Sequence, residues 1–160
     1  MSTKLWPILF ILLLFGCDSS RLYEQNSDFK NKIWSSGDIK TFDFNIPDAS
    51  LGYNIYFNVR NTMDYPHYNL YLSYHLKDSL NQILKEDLKS VNLFDPKTGK
   101  PEGKSSLGNI FDHRILVLEN FKFESPGKKE LELQQFMRYD SLPEIVSAGI
   151  RVEFYGKKQD

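Results

Sequence analysis

Cysteine is almost missing from this sequence. Cys17 is the one thiol among 160 residues, so no internal disulfide can form. Histidine is scarce too, with only His67, His75 and His113. Neither sign of charge is in excess. Lys and Arg number 20 against 21 Asp and Glu, for a net charge of −1. That balance removes the electrostatic case for nucleic acid or an anionic lipid surface. After Phe15 no apolar run approaches the roughly 20 residues a membrane-spanning helix needs. No internal repeat interrupts the chain.

Catalytic patterns are missing as well. The stretch Gly99-Lys100-Pro101-Glu102-Gly103-Lys104-Ser105 looks like a phosphate-binding loop. It has three residues between its glycines where that motif needs four, and no helix signal follows. Pro101 also removes a backbone donor that such a cradle uses. His67 and His75 are eight positions apart on or near one strand, too far for one metal at about 3.3 Å per residue. Asp112-His113 is unaccompanied by any nucleophile motif. The expectation is no enzyme, with no catalytic residue, metal or cofactor.

What is present begins at the amino terminus. Lys4 precedes the apolar run Ile8 to Phe15, then Gly16 and Cys17. A positive start, a short apolar stretch and a small residue make a secretory signal. A cysteine directly after the cleavage point offers the nucleophile that diacylglyceryl transfer requires. Leu14-Phe15-Gly16-Cys17 therefore reads as a lipobox, with Cys17 as the lipidated first residue of the mature chain. One acyl chain anchors only marginally, at about 0.8 kcal/mol per buried CH2, and two or three make the attachment stable. The expected division is a cleaved signal over 1–16, lipidated Cys17 and a polar tether over 17–28, a domain over 29–156 and a frayed tail over 157–160.

The body reads as strands. Aromatic residues make up 14% of the chain, a bias that favours strand over helix. Strict alternation runs through Ile39–Ile46, Tyr53–Arg60, Tyr68–Lys77 and Ala148–Tyr155, the mark of half-buried antiparallel strands. Weaker segments cover Gln82–Glu86, Leu88–Phe94 and Glu130–Arg138. Ile115-Leu116-Val117-Leu118 fits a strand or one turn of helix equally. Within the tether, Leu22 and Tyr23 are able to pair as a short edge strand. The run from Asp95 to Asn109, rich in Gly and Pro, is the longest break, of a length that is usually functional or mobile. Ser141 to Val146 suits a short helix, with Ser141 as N-cap and Pro143 in its first turn. The sum is a mainly β chain: one antiparallel β-sandwich of seven or eight strands with a single short helix near the carboxy terminus.

Outward-pointing aromatics and cations are the binding candidates. Tyr56 and Tyr71 alternate with core positions, and Arg60 lies near them. Lys97 and Lys100 sit in the long break. Tyr and Arg dominate interface hot spots, whereas exposed tyrosines also pair across strands for about 0.2–1 kcal/mol each.

Several stretches together resemble the GldH family of gliding-motility-associated lipoproteins. They are Tyr53 to Asn61, Tyr65 to Tyr71, Phe94 to Pro101, Gly108 to His113, Gln135 to Pro143 and Gly149 to Glu153. The resemblance implies a cell-envelope lipoprotein of bacteria that crawl on surfaces. It implies partners among other envelope lipoproteins and proteins of the gliding and type IX secretion machinery. It carries over no catalytic residue and only one site, the lipidated cysteine, onto Cys17. No acidic cluster of the surface-sorting kind follows Cys17, so the expected place is the periplasmic leaflet of the outer membrane. The alternative is a sandwich that binds glycan or peptidoglycan, with the same tyrosines as stacking platforms.

Overall fold

The computed structural model describes residues 18–157. The signal stretch, Cys17 and the last three residues of the tail lie outside the described residues.

Two antiparallel sheets lie face to face. The first has five strands in the order β1 (Arg21–Asp28), β11 (Ile145–Phe154), β4 (Tyr53–Thr62), β8 (Ile110–Phe121) and β7 (Lys104–Ser105). The second has four, β3 (Lys40–Ile46), β9 (Gly127–Gln135), β5 (Asn69–Asp78) and β6 (Ile83–Asn92). A two-stranded ribbon, β2 (Ile33–Ser35) with β10 (Ser141–Pro143), completes the strands. The alternating residues explain the stacking. Ile55, Phe57 and Val59 from β4 face Leu72, Tyr74 and Leu76 from β5, and all six are buried. Phe57 meets Tyr74 edge to face at 5.3 Å, while Phe123 meets both Phe44 and Tyr53. Trp34 is fully buried, stacks on Phe29 at 4.7 Å and donates its indole N–H to the Asp38 carbonyl.

The mainly β expectation holds, with differences in detail. The strands number eleven among the described residues, where seven or eight were expected. Gln82–Glu86 and Leu88–Phe94 fuse into the single strand β6, and Ile115 to Leu118 lies inside the twelve-residue β8. The stretch expected as a tether is instead largely strand: β1 pairs with β11 from Arg21 to Asp28. The expected helix from Ser141 to Val146 is absent. Ser141, Leu142 and Pro143 pair with Ser35, Trp34 and Ile33, and Leu142 is buried beneath them. Glu144 then adopts a φ of 65°, its carbonyl accepts the Thr62 N–H, and the chain enters β11. So short a segment cannot nucleate a helix against that pairing.

Both ends of the molecule are defined by this topology. One end gathers residues 18–20, the turn between β3 and β4, the loop between β8 and β9, and residues 155–157. The other gathers residues 63–68, 93–103 and 136–140. The edge strand β6 has one further property. Lys85, Asp87 and Lys89 pair with Leu76, Tyr74 and Leu72, so most of its core-side face carries charge, and Val91 opposite Leu70 is the buried apolar exception.

Candidate functional site

The outer face of the five-stranded sheet holds the most structured chemistry. Alternation in β11 sends Ile150 and Val152 to the core and Ser147, Gly149, Arg151 and Glu153 outward. Those outward residues are nevertheless buried. Neighbouring strands and residues 18–20 roof them over. Gly149 allows the closest approach. A Cβ there would stand 2.2 Å from both the Gln25 carbonyl oxygen and Asn26 Oδ1.

Arg151 is the centre of this face, with 2% of its side chain exposed. Its Nε donates to Glu153 at 2.5 Å and its Nη1 to Glu24 at 2.7 Å, while Nη2 donates to Asp18. Three carboxylates thus surround one guanidinium. Glu24 also accepts from Asn58 Nδ2 at 2.9 Å, and Arg114 stands 3.6 Å away. The bond from Arg151, aided by the Ser20 hydroxyl, holds the Asp18 carboxyl well below the usual carboxylate range. Burial pushes the Glu24 carboxyl up, but bonds from Arg151 and Asn58 outweigh it and leave it lowered. Burial likewise opposes the charge on Arg151, and its carboxylates more than restore it.

Beyond this cluster the face opens into a cleft of about 620 Å³ lined by Asn58, Arg60, Asp112, Arg114, Glu102 and Lys104, among others. Arg60 Nε meets Asp112 Oδ1 at 2.5 Å, half-exposed at the floor. Beneath it His113 Nε2 lies 2.8 Å from Asn61 Oδ1. Burial pushes the His113 imidazole down to about 4, so the ring is neutral at pH 7. Gly103 rests on it; a Cβ there would come within 2.7 Å of His113 Nε2. The cleft is matched in charge, with Arg60 paired to Asp112 and Arg114 near Glu24. That composition suits docking of a polar protein surface better than binding a small apolar ligand. Among the described residues no group of three or more His, Cys, Asp or Glu is placed to hold a metal. No helix of the described residues is long and apolar enough to cross a membrane.

The five sequence candidates within the described residues do not converge. Tyr56 and Arg60 share the outer face of β4, with Tyr56 half-buried and its hydroxyl 3.4 Å from Asn54 Nδ2. Tyr71 lies on the outer face of the other sheet, across the whole molecule. The two tyrosines therefore cannot form one stacking platform. Lys97 and Lys100 are exposed on a compact turn. There Asp95 accepts the N–H groups of Lys97 and Thr98, and Gly99 takes a φ of 67°. The long break is tied down in addition by the Phe94–Pro101 bridge and by β7. Sequence reading gives no binding role to Glu24, Arg114 or Arg151, nor to Asp18, and weighs Asp112 only beside His113 as a catalytic pair. The available signal was Arg151 and Glu153 at alternate positions of an otherwise apolar strand.

Near Lys97 lies a second group of rings, with Tyr65 and Phe94 buried and Tyr139 exposed. Tyr65 stacks on Phe94 and meets His67 edge-on, and His67 stacks on Tyr139 at 4.9 Å.

Comparison with known proteins gives one consistent result. The family model described as GldH lipoprotein matches residues 21–152. That span runs from the first strand almost to the end of the last. A gliding motility lipoprotein GldH homolog of Christiangramia forsetii is 27% identical over 156 residues, covering 91% of each chain. The gliding motility lipoprotein GldH of Flavobacterium johnsoniae is 25% identical, covering 91% of this chain and 92% of its own. Among solved structures, a family GH115 4-O-methyl-α-glucuronidase is 12% identical with a TM-score of 0.44. It covers 89% of this chain, which spans 18% of that structure's length.

Proposed function

This chain belongs to the GldH lipoprotein family, and from that premise we propose that it is a non-catalytic, lipid-anchored scaffold of the gliding-motility and type IX secretion apparatus. The observation that carries the reading is the family match over residues 21–152, which takes in both sheets and the cleft. Cys17 bears the lipid, and the mature protein resides on the periplasmic leaflet of the outer membrane. The body acts by contact. The cleft around Arg60 and Asp112, with Tyr56 nearby, receives an envelope protein of matched polarity. The turn bearing Lys97 and Lys100, beside the Tyr65–Tyr139 rings, supplies a second contact. Charges of both signs in the cleft favour a specific polar partner, because an unmatched surface would strand a charge on burial.

The test uses membranes from cells carrying the full chain with a photocrosslinker at position 60, and as a control at position 86 on the β6 edge. Crosslinks at position 60 to a protein of the gliding or secretion machinery are expected. They should vanish with Asp112→Arg while the protein stays in the membrane fraction. Identical adducts from both positions, or none from position 60, would refute the scaffold reading. Cys17→Ser should release the chain from membranes.

A further inference from the structure

The first described residue is already part of the folded body. The Asp18 carboxylate is held by buried Arg151 and takes the Ser20 N–H at 3.2 Å and the Ser20 hydroxyl at 2.7 Å. The Asp18 carbonyl accepts the Arg21 N–H, and the Ser20 carbonyl accepts the Phe154 N–H at 2.9 Å. Cys17 is one peptide away, and neighbouring Cα atoms across a trans peptide are about 3.8 Å apart. A flexible tether of ten residues would instead allow about 17 Å of mean separation. A lipid on Cys17 therefore leaves the body with almost no slack, and the end of the molecule that holds Asp18 has to lie at the bilayer.

We propose that this end is a membrane-seating face, with phospholipid headgroups as its partner. The inference rests on the lipidation of Cys17 proposed above. Around residues 18–20 stand the Asp48–Gly52 turn and residues 155–157. They are joined, since the Tyr155 N–H donates to the Gly52 carbonyl at 2.9 Å and Lys122 Nζ donates to the Ser50 carbonyl at 3.1 Å. Two large hydrophobic side chains reach solvent there: Leu51 is 41% exposed and Tyr155 48%. An aliphatic and a phenol at one end of the molecule suit the headgroup boundary, where one part is apolar and the other wet. Lys122 and Lys157 offer ammonium groups to headgroup phosphates, and Lys157 already lies over the Phe154 ring at 4.3 Å. Asp48 opposes them, because the Ser50 N–H and hydroxyl hold its carboxylate in the ionised form. With exposed Glu124 on the neighbouring loop, the two lysines are balanced by two carboxylates, so the face carries no excess of either sign. The acyl chains thus supply the affinity, and this face supplies the orientation.

The orientation has a stated geometry. β4 runs from this end to the other over ten residues, or about 33 Å. The Lys97–Lys100 turn and the Tyr65–Tyr139 rings are then carried about that far from the membrane.

The experiment exploits the chain's single thiol, which acylation consumes. A cysteine introduced by Leu51→Cys or by Lys97→Cys is then the only labelling site. Each acylated variant, carrying an environment-sensitive fluorophore, is placed in vesicles of phosphatidylethanolamine and phosphatidylglycerol containing a lipid-borne quencher. Quenching several-fold stronger at position 51 than at position 97 is expected. A flexible ten-residue Gly-Ser insertion between Cys17 and Asp18 leaves every contact of the body in place. It should bring the two positions close to equal. Equal quenching without the insertion, or stronger quenching at position 97, overturns the proposal. Intact mass of the same sample separates the two readings. Acylated protein without the difference sinks the orientation alone, whereas protein lacking acyl chains sinks both.

Discussion

Arg151 and Lys77 occupy comparable places on opposite sheets. Each sits on an outer face and each meets more than one carboxylate. Lys77 Nζ lies 2.6 Å from Glu132 and 3.7 Å from Glu130, with 19% of its side chain exposed. Arg151 meets Asp18, Glu24 and Glu153 with 2% exposed. The chemistry is alike, but the solvent is not. Water screens the lysine group and absorbs its loss. On the other face the amino-terminal segment excludes water, so every charge there depends on its partner. One face is an ordinary polar surface; the other is a polar layer built into the fold.

The largest expected effect comes from breaking the enclosed side. Arg151→Ala takes the shared buried cation from three carboxylates and should destabilise the protein by about 3–5 kcal/mol, read from denaturant unfolding. It should also expose residues 18–28 to protease. Next in size is the acid response of the same sheet. Buried His113 titrates at about 4 rather than at its ordinary 6.5, so between those values the unfolded chain binds more protons than the folded one. Stability should therefore fall as pH drops through that window, and His113→Gln should flatten the slope there. Asp18 and Glu24, both lowered, add a loss that starts only below their ordinary carboxylate range. An unfolding midpoint that is flat from neutral pH to pH 4 in the parent protein would contradict the burial of His113. Gly149→Ala should cost about 1–3 kcal/mol by forcing β1 away from β11. A neutral result would mean that the two strands are not in such close contact. Lys77→Met, on the open side, should leave the unfolding midpoint close to that of the parent protein. A loss as large as that from Arg151→Ala would erase the contrast between the faces.

The strands that alternate strictly were legible because one face of each is buried. Tyr53 to Arg60 and Ile150 to Phe154 announce β4 and β11 for that reason. β1 was read mainly as tether because its apolar content stops at Leu22 and Tyr23. What holds it is pairing with β11 and carboxylates on Arg151, whose partners lie 127 and 133 residues away in sequence. No local pattern records such a meeting. Tyr56 and Arg60 fall on one face because four positions in a strand preserve parity. Tyr71 has the same outward character, yet strand order puts it on the other sheet, and strand order is not written in periodicity. The helix expected at Ser141 failed for a related reason. Its capping signals were local, whereas Leu142 was drawn under Trp34 by tertiary packing.

The charged inner side of β6 matters most if many copies share one leaflet. Molecules confined to a plane and standing upright collide flank to flank, with their strand directions already aligned. A bare sheet margin under those conditions would invite copies to zip into ribbons. On β6, a newcomer strand would have to lay its apolar side chains against Lys85, Asp87 and Lys89, of which Asp87 and Lys89 already pair at 2.7 Å. The mismatch disfavours pairing along this one edge.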